Sequence, residues 1–401
     1  MRSVFNSLGS NYSLAFALRS LIQTGGSSKS TSLTKYLESR YHGQAHLFYK
    51  GREAIQAALV LAKLGKGSEV LITGYTCYAV YRAVVDAGCE PVFVDLAPGS
   101  INFDSDTILT SLKKHKNVRA LIVQNTLGFA SDIESINKIS DDNKLVLIED
   151  LAHCIGMKYS EGSEAGTVGD YVALSFSQDK VVDGISGGAL IVRTKKSADF
   201  DKTITYTKLP ATQQLRDRIY PALTVKIRFL YNLKIGKLIH VFAKKLHLLS
   251  RPVDGVFGKY RQLPGWYAAL IHRQFLLLDK SQAHRSQICE IYSNTITKTV
   301  QAGDKVKNSP HLRFPILIPK NRNDFIDSLK KKGIHISDIW YESPVAPLRY
   351  LGQTNYQQNE CPISEQMAEQ MINLPTHIGI SIKTAKIIAQ EVNLWLSQAE
   401  K

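Results

Sequence analysis

Six short, nearly continuous apolar runs constrain this chain more than any other feature: 70–72, 91–94, 120–123, 145–148, 172–176 and 188–192. A strand with one wet face alternates apolar and polar residues. These runs do not alternate, so they read as strands covered on both faces. Amphipathic stretches separate them, such as 78–87. After Gly51, residues Ala54, Ile55, Ala58, Leu59 and Leu61 recur near a 3.6-residue period. Strands and helices in this alternation predict an α/β fold whose large domain has a mostly parallel, mixed sheet flanked by helices.

That texture stops after Thr194. Residues 205–250 read as helical, aromatic and basic, and 251–265 as a loop holding Pro252, Gly255, Gly258, Pro264 and Gly265. One long amphipathic helix is expected over 266–293. From His311 a smaller C-terminal α+β domain follows, with strands at 314–318 and 334–336 and helices at 323–332 and 382–398. The first 45 residues are polar and read as a short helix followed by an arm. The expected division is an arm over 1–45, a large domain over 46–205, a helical bridge over 206–293 and a small domain over 294–401. A length of 401 residues suits this, at ~100–200 residues per domain.

Lysine and arginine number 50 against 35 acidic residues, so the net charge is 50 − 35 = +15. Such a balance raises nucleic acids, anionic lipids and anionic substrates as partners and selects none of them. Nucleic acid has charge alone behind it, with no zinc spacing, recognition helix or RNA-binding aromatic pair, and is not expected. The 5 cysteines form no CxxC pair, which argues against a disulfide scaffold and fits a reducing cytoplasm. No metal site is expected. No run of about 20 apolar residues exists to span a membrane, and no signal peptide is apparent.

The chemistry concentrates in 147–188. Asp150 closes a buried strand, and ligands of open α/β sheets sit at the carboxyl ends of strands. Lys180 lies in a loop just past the next strand, five residues after Ser175 and ahead of glycine-rich chain. An acid at one strand end and a lysine at the next are what a pyridoxal phosphate site requires: an amine to hold the cofactor and an acid to keep its ring nitrogen protonated.

Seven segments then occur in a familiar order: Gly51-Arg52-x-Ala54, Tyr75-Thr76-x-x-Ala79, 91–95, Glu149-Asp150-x-Ala152-His153, Ser175-Phe176-x-x-x-Lys180, Gly187-Gly188 and 373–377. From about Phe48 to Trp395 the chain resembles the pyridoxal-phosphate-dependent sugar aminotransferases of the DegT/StrS type, of the aspartate-aminotransferase-like fold. The resemblance makes Lys180 the cofactor-bearing lysine and proton shuttle, and Asp150 the partner of the ring nitrogen. It places His153 near the ring oxygen and Ser175 on the phosphate, with Gly51 and Arg52 at a helix N-terminus that meets it. It implies a homodimer with the active site between subunits, and an amino acid and a nucleotide-linked keto-sugar as substrates.

Three departures stand out. The position of the usual ring-stacking aromatic is Cys77, so Tyr78 either takes over the stacking or packs elsewhere. The cross-subunit Gly-x-Asn-x-Arg loop has its nearest counterpart at Gly258-Lys259-Tyr260-Arg261, without the Asn; whether Lys259 meets the phosphate there as a point charge stays open. Residues 205–250 are long and basic for the family. From 224 to 251 basic and apolar residues interleave without an acid. Such a helix either packs its apolar side on the large domain or lies on an anionic membrane. His311–Phe314, Trp340, Tyr341 and His377 are expected on the substrate side. Two alternatives stay open: another reaction of the same cofactor, such as a desulfurase or lyase using Cys154, and a non-catalytic regulatory protein.

Overall fold

The computed structural model describes residues 3–193, 200–249, 253–296, 309–336 and 341–398; Trp340, Arg251 and Pro252 lie outside the described residues. Strands β1 (Gln44–Phe48), β2 (Glu69–Thr73), β3 (Glu90–Val94), β4 (Val118–Val123), β5 (Val146–Asp150), β6 (Tyr171–Ser175) and β7 (Gly188–Val192) form one sheet, in the order β1-β7-β6-β5-β4-β2-β3. Neighbours pair in parallel except at β7, which is antiparallel to both β6 and β1. The six apolar runs account for β2–β7. Strand β1 is a half-polar edge strand and carries no such run.

The helices that follow in chain order are α1 (Leu14–Ile22), α2 (Ser27–Tyr41), α3 (Gly51–Leu61), α4 (Tyr78–Asp86), α5 (Ser105–Lys114) and α6 (Ile133–Asp142). After the sheet come α7 (Ala211–Phe229), α8 (Ile235–Lys245), α9 (Gly265–Phe275), α10 (Leu278–Thr295), α11 (Arg322–Lys331), α12 (Pro362–Gln370) and α13 (Ile382–Gln398). Successive strand residues face opposite ways, so the sheet has two cores. Leu71, Val123, Leu147, Val172 and Ile191 pack with α2, α6 and α9. Val70, Ile72, Ile122, Ile148 and Leu190 pack with α3 and α4. Each fully buried aliphatic side chain contributes about 1.5–3 kcal/mol.

The small unit pairs β8 (Arg313–Leu317) antiparallel with β9 (Met371–Pro375). Its core joins these strands to α10, α11 and α13. The N-terminus is not a loose arm: Val4–Phe5 pairs in parallel with Ile334–His335 of the small unit. Downstream of it, Ser27–Tyr41 is a full helix. Two expected helices are broken. The stretch 266–293 divides at Leu276 and Leu277, which turn outward while Phe275 and Leu278 stay in the core. The basic stretch 224–251 divides at a tight turn, Tyr231–Leu233, and at Lys234, whose φ is +64°. Gly236 fits that turn because a Cβ there would lie 2.3 Å from the Ile227 carbonyl oxygen.

Candidate active site

The parallel strands end together at one edge of the sheet, and the expected residues meet there. Asp150 is the last residue of β5, in register with Ala173 of β6. The loop from β6 to β7 carries Lys180. Buried Asp183 ties that loop, accepting hydrogen bonds from the Asp179 N–H (2.8 Å), the Ile185 N–H (3.0 Å) and the Tyr12 hydroxyl (2.7 Å). Asn11 donates to the Lys180 carbonyl at 3.1 Å. The N-terminal segment therefore straps the lysine loop to the small unit, where Asn6 donates to the Asn373 carbonyl at 2.6 Å.

A cavity of about 760 Å³ opens at this edge, and Gly51, Arg52, Asp150, His153, Ser175 and Lys180 all line it. Burial pushes the Lys180 amine below the ordinary lysine range, against the pull of Cys77 and Asp150. Burial likewise raises the Asp150 carboxyl, opposed by the Ala152 N–H, which donates to it at 2.9 Å, and by Lys180. The two groups thus exert opposite charge effects on one cavity. His153 is held neutral, first by burial and then by the nearby Lys180 and Arg313 cations. Its Nδ1 accepts from the Leu127 N–H at 3.2 Å, so the ring proton sits on Nε2, 3.2 Å from the Tyr341 hydroxyl.

Helix α3 begins at Gly51 with no side chain capping it. Its N-terminus abuts the end of β6: a Cβ on Gly51 would stand 2.7 Å from Ser175 Cβ and 3.1 Å from its Oγ. Only glycine leaves the backbone N–H groups and the Ser175 hydroxyl side by side. Together they form a cradle for a phosphate. A half-buried amine, a buried carboxylate and this cradle, set within one cavity, fit pyridoxal phosphate.

Other expected residues fall elsewhere. Tyr78 does not line the cavity. It opens α4 and its ring stacks on Tyr350 with centroids 4.4 Å apart, while its hydroxyl donates to Gln353 at 3.2 Å. Cys77, the N-cap of that helix, faces the cavity instead. Arg52 spends its guanidinium on the carbonyls of Val253 (3.0 Å) and Val256 (3.1 Å) and stacks on Phe257. Lys259 is exposed and outside the cavity, and Arg261 pairs with Glu53 of its own chain at 2.8 Å. Of the expected substrate-side residues within the described chain, Tyr341 lines the cavity. His311 instead stacks on Phe129, Phe314 sits in the small core, and His377 bonds the Phe5 carbonyl. Cys154 is buried with its thiol pushed well above the usual range, first by burial and then by Asp150. A thiol in that state is a poor nucleophile, against the desulfurase reading.

Three contributors escaped the sequence reading. Lys50 lines the cavity just before the cradle, its amine lowered to about 8 by burial; its place beside Gly51 was the available signal. Gln124 lines it while accepting from the Thr76 hydroxyl at 2.8 Å. A basic rim comes from two distant segments: His240 and Lys244 of α8, and Lys330 and His335 of the small unit.

The sequence profile of the DegT/DnrJ/EryC1/StrS aminotransferase family matches residues 30–393. The chain belongs to this family. Its members depend on pyridoxal phosphate, in line with the cradle, lysine and carboxylate described above. Among similar proteins is the pleiotropic regulatory protein of Geobacillus stearothermophilus, 25% identical over 85% of this chain and 82% of that protein. The GDP-perosamine synthase of Escherichia coli O157:H7 is 24% identical, over 92% of each chain. The crystal structure of ntda from Bacillus subtilis, with bound cofactor PMP, superposes with a TM-score of 0.70 at 17% identity, covering 99% of this chain and 86% of that one. At that identity the superposition speaks for the fold.

Proposed function

We propose that this protein moves an amino group from an amino acid, glutamate, to a keto-sugar linked to a nucleotide, and that it works as a homodimer. One observation carries the reading: neighbouring strand ends bring Lys180 and Asp150 into one cavity with the uncapped start of α3. Pyridoxal phosphate supplies an electron sink and carries the amino group between the two substrates.

The chain's residues do the rest. Gly51, Ser175 and the α3 dipole bind and orient the phosphate. Asp150 would hold the cofactor's ring nitrogen in its protonated form through a charge-assisted hydrogen bond. Lys180 Nζ, already shifted toward its neutral form, would take the proton from the donor's α-carbon as general base. His153, neutral with its proton on Nε2, holds the Tyr341 hydroxyl at the wall of the cavity.

The cavity rim supports this substrate class. Lys244 and Lys330 line it and suit a sugar's diphosphate, and His240 and His335 add hydrogen-bonding nitrogens. The relatives that make amino sugars on nucleotides support this class of substrate. The test is a product screen: purified protein, glutamate and a panel of nucleotide-linked keto-sugars, read by mass spectrometry. Amination of a sugar lacking its nucleotide, at the same efficiency, would refute the substrate class. Light scattering tests the dimer.

A further inference from the structure

We propose that α1, α7 and α8 dock this protein peripherally on an anionic lipid surface. Helix α8 has three faces. Gly236 and Ala243 pack inward, and His240 and Lys244 line the cavity. The remaining face turns Ile235, Leu238, Val241, Phe242 and Leu246 to the outside, with Leu238 and Phe242 each 62% exposed. Phe229 and Leu233 are exposed in the segment just before it. Helix α1 lies along α7, where the Ser20 hydroxyl donates to the Arg218 carbonyl at 3.0 Å, and it exposes Leu14, Leu18, Leu21 and Ile22. Among the described residues 21 large apolar side chains are exposed, and 13 of them lie in 14–22 and 215–246. Scattered exposed leucines need no explanation, whereas this concentration points to a partner.

Charge decides what that partner is. Between Asp217 and Asp254 the sequence contains 8 basic residues and no acidic one. A second copy seated on the same face would set lysines against lysines with no carboxylate from this stretch to compensate. Anionic headgroups would complement the lysines, while the apolar side chains enter the boundary of the acyl chains by about 5–10 Å. No helix among the described residues is long and apolar enough to cross a membrane, so the contact is superficial. Because α8 presents its cavity face and its apolar face on one helix, docking holds the cavity rim about one helix diameter, ~10–12 Å, from the lipid.

Flotation of the full chain with vesicles tests this. The wild type should float with phosphatidylcholine vesicles containing phosphatidylglycerol, far less with phosphatidylcholine alone, and less as salt rises. Leu238→Glu/Phe242→Glu should abolish flotation. Lys245→Glu, which changes two charge units, should weaken it roughly thirtyfold, near fivefold per charge. None of these side chains lines the cavity, so both variants should retain bound cofactor, which checks folding. Absence of flotation at low salt would overturn the proposal. So would equal binding to neutral vesicles, or an oligomer that Leu238→Glu/Phe242→Glu splits while vesicles go unbound; that last result would make the face a subunit interface.

Discussion

Adjacent carboxylates at the end of β5 should respond to amide substitution in opposite ways. Glu149 and Asp150 face opposite sides of the sheet, as neighbours on a strand must. Glu149 is fully buried. Its Oε1 accepts from the Val168 N–H (2.9 Å) and the Gly169 N–H (2.6 Å), and its Oε2 from the Gly166 N–H (2.7 Å) and the Tyr159 hydroxyl (2.8 Å). Arg193 lies 3.5 Å away. In Glu149→Gln one oxygen becomes an NH2 group that confronts donors. Two charge-assisted bonds are lost, at about 1.5–3 kcal/mol each, and donors are left buried, so unfolding free energy should fall by about 3–5 kcal/mol.

Asp150 accepts a hydrogen bond from the Ala152 N–H, which Asn retains, and burial raises its carboxyl. A carboxyl raised in the folded state favours folding at pH values below its unfolded value, and that contribution disappears as pH climbs through the folded value. Asp150→Asn removes the buried charge and should cost less than about 1 kcal/mol in the cofactor-free protein at neutral pH. Its loss should be in turnover, roughly 10²–10³-fold, because the charge facing the ring nitrogen is gone. Urea denaturation of the cofactor-free variants and steady-state rates of the loaded ones separate the two effects. A Glu149→Gln protein of wild-type stability, or an Asp150→Asn protein of wild-type turnover, would refute the reasoning.

Three further outcomes follow from the same geometry. The rate at which cofactor-free protein captures pyridoxal phosphate should rise with pH about a midpoint below ~10.4, the ordinary lysine value, and Asp150→Asn should move that midpoint lower still; stopped-flow absorbance reads it. Gly51→Val should cost about 1–3 kcal/mol from overpacking against Ser175 and weaken cofactor affinity at least tenfold, measured by equilibrium dialysis. Tyr78→Ala should destabilise the fold by about 3–5 kcal/mol yet leave cofactor affinity unchanged in the same dialysis, since its ring lies against Tyr350.

Much of the large sheet was legible because both its faces are covered. Continuous apolar runs have no other simple reading, and Asp150 and Lys180, singled out near the ends of two of them, do line one cavity. Helix α2 was harder to see. Its serines have modest helix propensity, and the decisive signal is only Leu33, Leu37 and Tyr41, spaced one turn apart and buried. Tyr78 and Cys77 differ by one position, and which of them faces the cavity depends on where α4 begins. The basic segment shows a general limit. Its amphipathic pattern was plain, but periodicity states which residues share a face, not what covers that face. Whether those side chains were buried or exposed required three dimensions, as did Lys50, whose amine is drawn to the cavity by a fold assembled from distant strands.

The most direct test of the account is a visible absorbance spectrum of the protein loaded with pyridoxal phosphate, for wild type and Lys180→Ala, before and after glutamate. A lysine-bound cofactor band in the wild type, absent from Lys180→Ala and bleached by glutamate, is the predicted result. A band that persists in Lys180→Ala, or a wild type that never develops one, would contradict the assignment of Lys180 and the transaminase reading built on it.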